Sequence, residues 1–331
     1  MNEMKAILNL ITLILIVGGR VPGLTAQEDP CLNRTIEVNV ITDDFRLVKG
    51  LDSSHFEGKF HGKPIDITSA EYDTGSRRVV ILLDSSGSMG VPDDHWRPGV
   101  TMAADIVSSA PPQTSFALLR FNDTTTKQAD FTDQRMTLTS RLNDIWHWNG
   151  SDFKGKTAIM DAILDGIATL GQLHVGDTIF LITDGGDNKS KISDKVFMRT
   201  LLASGVRIFV FYLASDFKSR GRTPEEAVGP ETLRSIVEFT GGDLSVFPPS
   251  RGLFPSLTSD FELEMEAENP KLIPMVAQLF VHEFSEIYLL RIKFTEPVDK
   301  PGKLDLQVVY HDGKKNHHLR VIYPHRLAPC S

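Results

Sequence analysis

Two rhythms of apolar and polar residues divide the chain. Between Arg77 and Phe247, short, mainly apolar runs alternate with stretches whose apolar residues recur every three or four positions. The runs at 79–83, 116–121, 178–182 and 207–214 are rich in branched and aromatic side chains and too short for helices. Each therefore reads as a strand, the first of them buried on both faces. The stretch after the first run sets Ala103, Ile106, Val107 and Ala110 on one helical face, and a helix opened by Thr157 carries Ile159, Ile163, Ile167 and Leu170. Further helices are expected from Leu138 towards Trp146, over 193–204 and over 231–239, with a last strand over 244–247. Strands alternating with helices of this length need crossover connections. The expected fold is α/β, a doubly wound, mainly parallel sheet.

On either side of this unit the period falls to two. Ile36, Val38 and Val40 alternate with polar residues, and Phe56, Phe60, Ile65 and Ile67 follow. Beyond Pro249, residues 287–294 form an apolar strand, and Leu304, Leu306, Val308 and Tyr310 alternate. A hairpin signal at 311–314 precedes a second alternation of His317, Leu319, Val321 and Tyr323. Neither flank suffices for a stable sheet alone. The economical arrangement is one small antiparallel β domain made from residues 27–76 and 250–331, with an α/β domain of residues 77–249 inserted into it.

The first 26 residues read as a signal peptide. Lys5 precedes an apolar run over 6–18, shorter than the roughly 20 residues of a spanning helix, and Leu24-Thr25-Ala26 suits cleavage. An uncleaved anchor is the alternative. The expected mature chain is secreted or periplasmic, with no transmembrane span after cleavage. Its two cysteines, Cys31 and Cys330, bracket almost all of it. An even pair in an exported protein is expected to be bridged, with two free thiols the alternative. The formal net charge of −8 over 331 residues argues against nucleic acid or an anionic membrane as the main partner.

Chemistry concentrates where the first buried run ends. Asp84-Ser85-Ser86-Gly87-Ser88 follows it directly, at the carboxyl end of a strand, where open α/β sheets bind ligands. A carboxylate with hydroxyls two and four residues further on offers hard oxygen donors suited to Mg²⁺ or Mn²⁺. Capping of a following helix is the alternative role for Ser86 and Ser88. Enzyme signatures fail. No serine has the paired glycines of a nucleophile elbow, and His282-Glu283-Phe284-Ser285-Glu286 lacks the second histidine of a zinc-protease helix. His317 and His318 are adjacent on an expected strand and point to opposite faces.

Asp84-Ser85-Ser86-Gly87-Ser88, Thr157 at a helix start and Thr183-Asp184-Gly185 at a strand end resemble, in order and spacing, the metal-ion-dependent adhesion site of the von Willebrand factor A domain. The resemblance covers about residues 77–248, and the layout of the flanks is similar to the bacterial, acidobacterial-type von Willebrand factor A-related family. It implies that Ser86, Ser88 and Thr157 contact a divalent metal through hydroxyls, with Asp84 and Asp184 helping to hold it. It also implies that the ion grips an Asp or Glu carboxylate of a protein partner, and that ligand binding can shift the domain's last helix, here about 231–239. The implied function is exported, metal-dependent binding or adhesion without enzymatic turnover. A scaffold or regulatory subunit of an exported assembly is the alternative, with a metal-dependent hydrolase behind both. Asp161 and Asp187 lie near the site in sequence and are expected to support it rather than to ligate. Trp96, Trp146 and Trp148 flank the metal loops and are candidate partner contacts, with loop packing the alternative role. Asn33, Asn122, Asn149 and Asn188 each head a glycosylation sequon.

Overall fold

The computed structural model describes Asp29 and residues 31–91, 95–214, 224–247, 272–309 and 319–330. The expected signal segment, the hairpin at 311–314 and His317 and His318 lie outside them. Two sheets make up the molecule. The first has strands β4 (Arg78–Asp84), β5 (Ser115–Phe121), β6 (Thr125–Ala129), β7 (Thr178–Thr183), β8 (Arg207–Leu213) and β9 (Leu244–Phe247), in spatial order β6-β5-β4-β7-β8-β9. All neighbours run parallel except the edge pair β5–β6.

The helices of this unit are α1 (Arg97–Ser109), α2 (Arg135–Trp146), α3 (Ile159–Leu170), α4 (Asp194–Ser204), α5 (Pro224–Thr240) and α6 (Leu272–Ser285). Alternate residues of β4 feed two separate cores, as the pleat requires. Val79, Ile81 and Leu83 pack with α1, α2 and α6, whereas Val80 and Leu82 pack with α3, α4 and α5. The unbroken apolar run of β4 thus follows from burial on both faces.

The second sheet has seven strands in the order β12-β1-β10-β3-β2-β11-β13. Strands β1 (Asn33–Thr42), β2 (Phe56–Phe60) and β3 (Lys63–Asp73) come from before the α/β unit. Strands β10 (Ile287–Lys293), β11 (Gly302–Val308), β12 (Leu319–Ile322) and β13 (Arg326–Leu327) come from after it. Every recorded pairing is antiparallel, with β10 seated between β1 and β3. Cys31 and Cys330 form a disulfide beside this sheet.

Two expectations are corrected. The segment 250–331 is assigned by its pattern to the β domain, yet its residues 272–285 form α6, which packs against α1 on the first sheet. Leu272, Val276, Ala277, Phe280, Val281 and Phe284 form its buried stripe. Among the described residues, the last helix packed on the first sheet is therefore α6, not the 231–239 stretch. That stretch belongs to α5, which starts seven residues earlier and carries Pro230 inside it, where a proline ordinarily marks a first turn.

Buried polar groups join the two units at the C-terminus of α6, where helix carbonyls lack partners within the helix. Arg77 Nε donates to Phe284 O at 2.9 Å, and Arg207 donates to Glu283 O at 3.1 Å and to Asn39 Oδ1 at 2.6 Å. Asn39 in turn donates to Glu286 O at 2.7 Å, so β1, β8 and α6 meet in one network.

Candidate metal centre

Strand β4 is central, and the chain leaves it first for β5 on one side and later for β7 on the other. That reversal opens a crevice beyond the carboxyl ends of β4 and β7. Asp84 ends β4, and Asp184 follows β7 directly. Asp84 is fully buried; its Oδ1 accepts the Ser86 N–H at 2.8 Å and its Oδ2 accepts the Thr183 hydroxyl at 2.6 Å. Burial pushes its carboxyl up to about 6, against the opposing effect of those hydrogen bonds. The Ser86 and Ser88 hydroxyl oxygens are 3.1 Å apart, and Ser88 donates to Asp184 Oδ1 at 2.9 Å. Ser85 points away, its hydroxyl donating to Phe121 O at 2.8 Å.

Thr157 arrives on a third loop tied to the other two. Gly87 N–H donates to Gly155 O at 3.1 Å, and Lys154 N–H donates to Ser85 O at 3.2 Å. Gly155 has a φ of +84°, and an added Cβ would fall 2.3 Å from Asp123 Oδ2, so the turn requires glycine. Thr157 N–H donates to Asn188 Oδ1 at 2.9 Å, and Asn188 N–H returns a bond to Thr157 O at 2.9 Å. The three sequence elements therefore converge as one loop cluster. Asp187 accepts Met160 N–H at 2.8 Å and Asp161 accepts Lys191 N–H at 2.9 Å, so both brace the start of α3.

Two buried carboxylates among hydroxyls call for accompanying positive charge. Among the described residues no group of three or more His, Cys, Asp or Glu forms a metal cluster. A site dominated by hydroxyl and carboxylate oxygens fits a hard or borderline divalent cation, with Asp84, Ser86, Ser88, Thr157 and Asp184 as the residues that would hold it. Pattern reading missed three supporting side chains: Thr183, Asn188 and His95. Thr183 adjoins Asp184, and Asn188 adjoins Asp187. His95, whose Nε2 lies 3.7 Å from Asp184 Oδ2, carries no local signature.

The tryptophans separate. Trp96 is only 1% exposed and stacks 4.7 Å from Phe153, so the expectation that it contacts a partner is corrected: it is a core residue. Trp148 is half-buried, 5.5 Å from Phe153 and 4.7 Å from the Arg120 guanidinium. Trp146 is 36% exposed, with the Arg97 guanidinium 4.4 Å from its ring centre. Of the three, Trp146 is the most available to a partner. At the end of α6, His282 is exposed and Glu283 buried, while Glu286, just beyond the helix, accepts from Lys49 and Tyr72. That carboxylate is used in packing.

The family comparison agrees with the α/β unit. Residues 79–238 match the profile of the von Willebrand factor type A domain. No curated protein sequence matches the chain. Among solved structures, proximal thread matrix protein 1 from the mussel byssus is 17% identical with a TM-score of 0.45, covering 68% of this chain and 50% of its own. This chain thus spans about half the length of that protein. A second structure of the byssal protein, described as having a zinc-occupied metal-ion-dependent adhesion site, is 18% identical, covering 69% of this chain and 49% of its own, with a TM-score of 0.43. A von Willebrand factor type A protein from Catenulispora acidiphila is 10% identical, covering 90% of this chain and 74% of its own, with a TM-score of 0.44. With Asp84 ending β4 and Asp184 directly following β7, residues 79–238 of this chain form a von Willebrand factor type A domain.

Proposed function

We propose that the protein is an exported binding module that uses a divalent cation, Mg²⁺ or Mn²⁺ in the first instance, to hold an Asp or Glu carboxylate of a protein partner. The supporting observation is the convergence of Ser86, Ser88 and Asp184, joined by contacts of 3.1 and 2.9 Å, beyond the carboxyl ends of β4 and β7. Two carboxylates and neutral hydroxyls neutralise a divalent cation only in part, leaving Lewis acidity for an oxygen from outside. The protein's own residues position that ion. Asp84 is fixed by Ser86 and Thr183, and Thr157 by Asn188. Trp146, on the exposed surface beside Arg97, is the candidate partner contact that remains accessible.

Export is supported by the Cys31–Cys330 disulfide, a bond that persists in oxidising compartments. Among the described residues no helix is long and apolar enough to cross a membrane.

The test is capture of partners from the native extracellular or periplasmic fraction on immobilised full chain. Capture is expected with Mg²⁺, lost with EDTA and lost with Asp84→Ala. A partner retained equally by wild type and variant, with or without EDTA, refutes metal-mediated binding.

A further inference from the structure

Strand β12 covers only part of β1. It pairs antiparallel with residues 39–42, and the pairing ends where Ile322 meets Asn39. The chain then leaves through Pro324, and Arg326 and Leu327 pair with β11 instead. Residues 34–37 of β1 therefore have β10 on one edge and no strand on the other. Among the described residues, their backbone groups form hydrogen bonds only towards β10. An uncovered strand edge is a template for an added strand.

The lane that β12 vacates is a cavity of about 310 Å³. Residues 34–37 form one wall, the departing segment from Pro324 to Cys330 forms another, and the ends of α4 and α5 contribute the rest. The departing segment is anchored on both sides of its turn. His325 N–H donates to Glu238 O at 2.9 Å, and Cys330 N–H donates to Val298 O at 2.7 Å beside the disulfide to Cys31. The cavity reaches Arg207 at the amino end of β8, the end of the first sheet opposite the metal loops.

Two side chains of opposite charge stand at the ends of this uncovered stretch. Arg34 donates to Ala328 O at 3.4 Å, and Glu37 Oε1 accepts the Gly176 N–H at 2.6 Å. Arg34 Nε and Glu37 Oε2 are buried without a hydrogen-bond partner among the described residues. Burial raises the Glu37 carboxyl, against the pull of the Arg207 charge. Buried polar atoms left unpaired are costly, and the groups that would satisfy these two are a carboxylate at Arg34 and an ammonium at Glu37. Three steps of extended strand separate the two residues by about 10 Å, roughly the length of an extended tripeptide. With its carboxylate at Arg34 and its ammonium at Glu37, such a peptide runs antiparallel to β1, the direction β12 already takes. The cavity volume is at the lower end for small-molecule sites, so its side chains must be small. We propose that this cavity binds a short peptide of about three small residues with free termini, added to the sheet beside β1 and held at its ends by Arg34 and Glu37.

Titration calorimetry of the full chain with trialanine tests this. Wild type is expected to bind it, and N-acetylation or C-terminal amidation of the peptide should each weaken binding by at least about tenfold, the loss of one charge-assisted hydrogen bond. Glu37→Gln should stop distinguishing trialanine from its acetylated form while still rejecting the amide, and Arg34→Gln should do the reverse. A misfolded variant would not produce that crossed pattern. Neighbouring residues of an extended peptide turn their N–H groups to opposite sides. Methylating the amide nitrogen of the second or of the third alanine should therefore abolish binding in one case and spare it in the other. Absence of trialanine binding to wild type at millimolar concentration, equal affinity for a peptide blocked at both ends, or tolerance of both methylations overturns the proposal. Loss of trialanine binding in EDTA would assign it to the metal centre and overturn the proposal as well.

Discussion

Ser88 donates its hydroxyl proton to Asp184 Oδ1 at 2.9 Å, across 96 positions of sequence. The contact depends on the parallel neighbours β4 and β7 ending side by side, with Leu83 registered against Ile182. It places a neutral donor and a buried carboxylate where each can turn to an ion instead.

Replacing that hydroxyl should disable the site without unfolding the protein. Ser88→Ala is expected to weaken divalent-cation binding by at least about tenfold, the lower end of losses seen even for outer-shell partners. Calorimetry with Mn²⁺ measures it, and circular dichroism checks the fold.

Trp96→Ala and Trp146→Ala should give opposite phenotypes. Truncating the buried ring beside Phe153 should cost about 3–5 kcal/mol in urea unfolding. Trp146→Ala, at an exposed position, should change stability by less than about 0.5 kcal/mol while weakening partner capture.

The junction at α6 should be brittle. Arg207 is buried and donates to Gly241 O, Glu283 O and Asn39 Oδ1. Arg207→Ala leaves those acceptors unpaired and should cost about 3–5 kcal/mol, read as a lowered urea midpoint.

Stability should also depend on Glu283. Burial, with Asp243 adjacent, raises its carboxyl to about 8, while Arg320 and Arg207 pull it down. Between the ordinary carboxylate range and about 8, the folded protein binds more protons at this group than the unfolded chain does. The contribution to stability is therefore full at low pH and is lost as pH rises through that window. Urea midpoints from pH 5 to 8 should fall less steeply in Glu283→Gln than in wild type, and parallel curves would refute the assignment.

Much of the fold was legible because burial writes directly into local pattern. The run Val79–Leu83 is unbroken because β4 is covered by helices on both sides, and Ile36, Val38 and Val40 alternate because one face of β1 meets a core. The motif residues were legible because oxygen donors stand where apolar strands stop. Helix α6 was missed although Val276, Phe280, Val281 and Phe284 repeat at helical spacing, because the strand-like alternation that follows it dominates the pattern of this segment. Trp96 was misassigned for a different reason. Its burial is created by Phe153, on a loop 57 positions away, and nothing in its neighbourhood encodes that contact.

The Cys31–Cys330 bond joins residues 299 positions apart. A pull applied between the two ends of the polypeptide would run through that covalent link and bypass every strand between them. The α/β unit would stay mechanically unloaded, and tension could reach the metal loops only through whatever they hold.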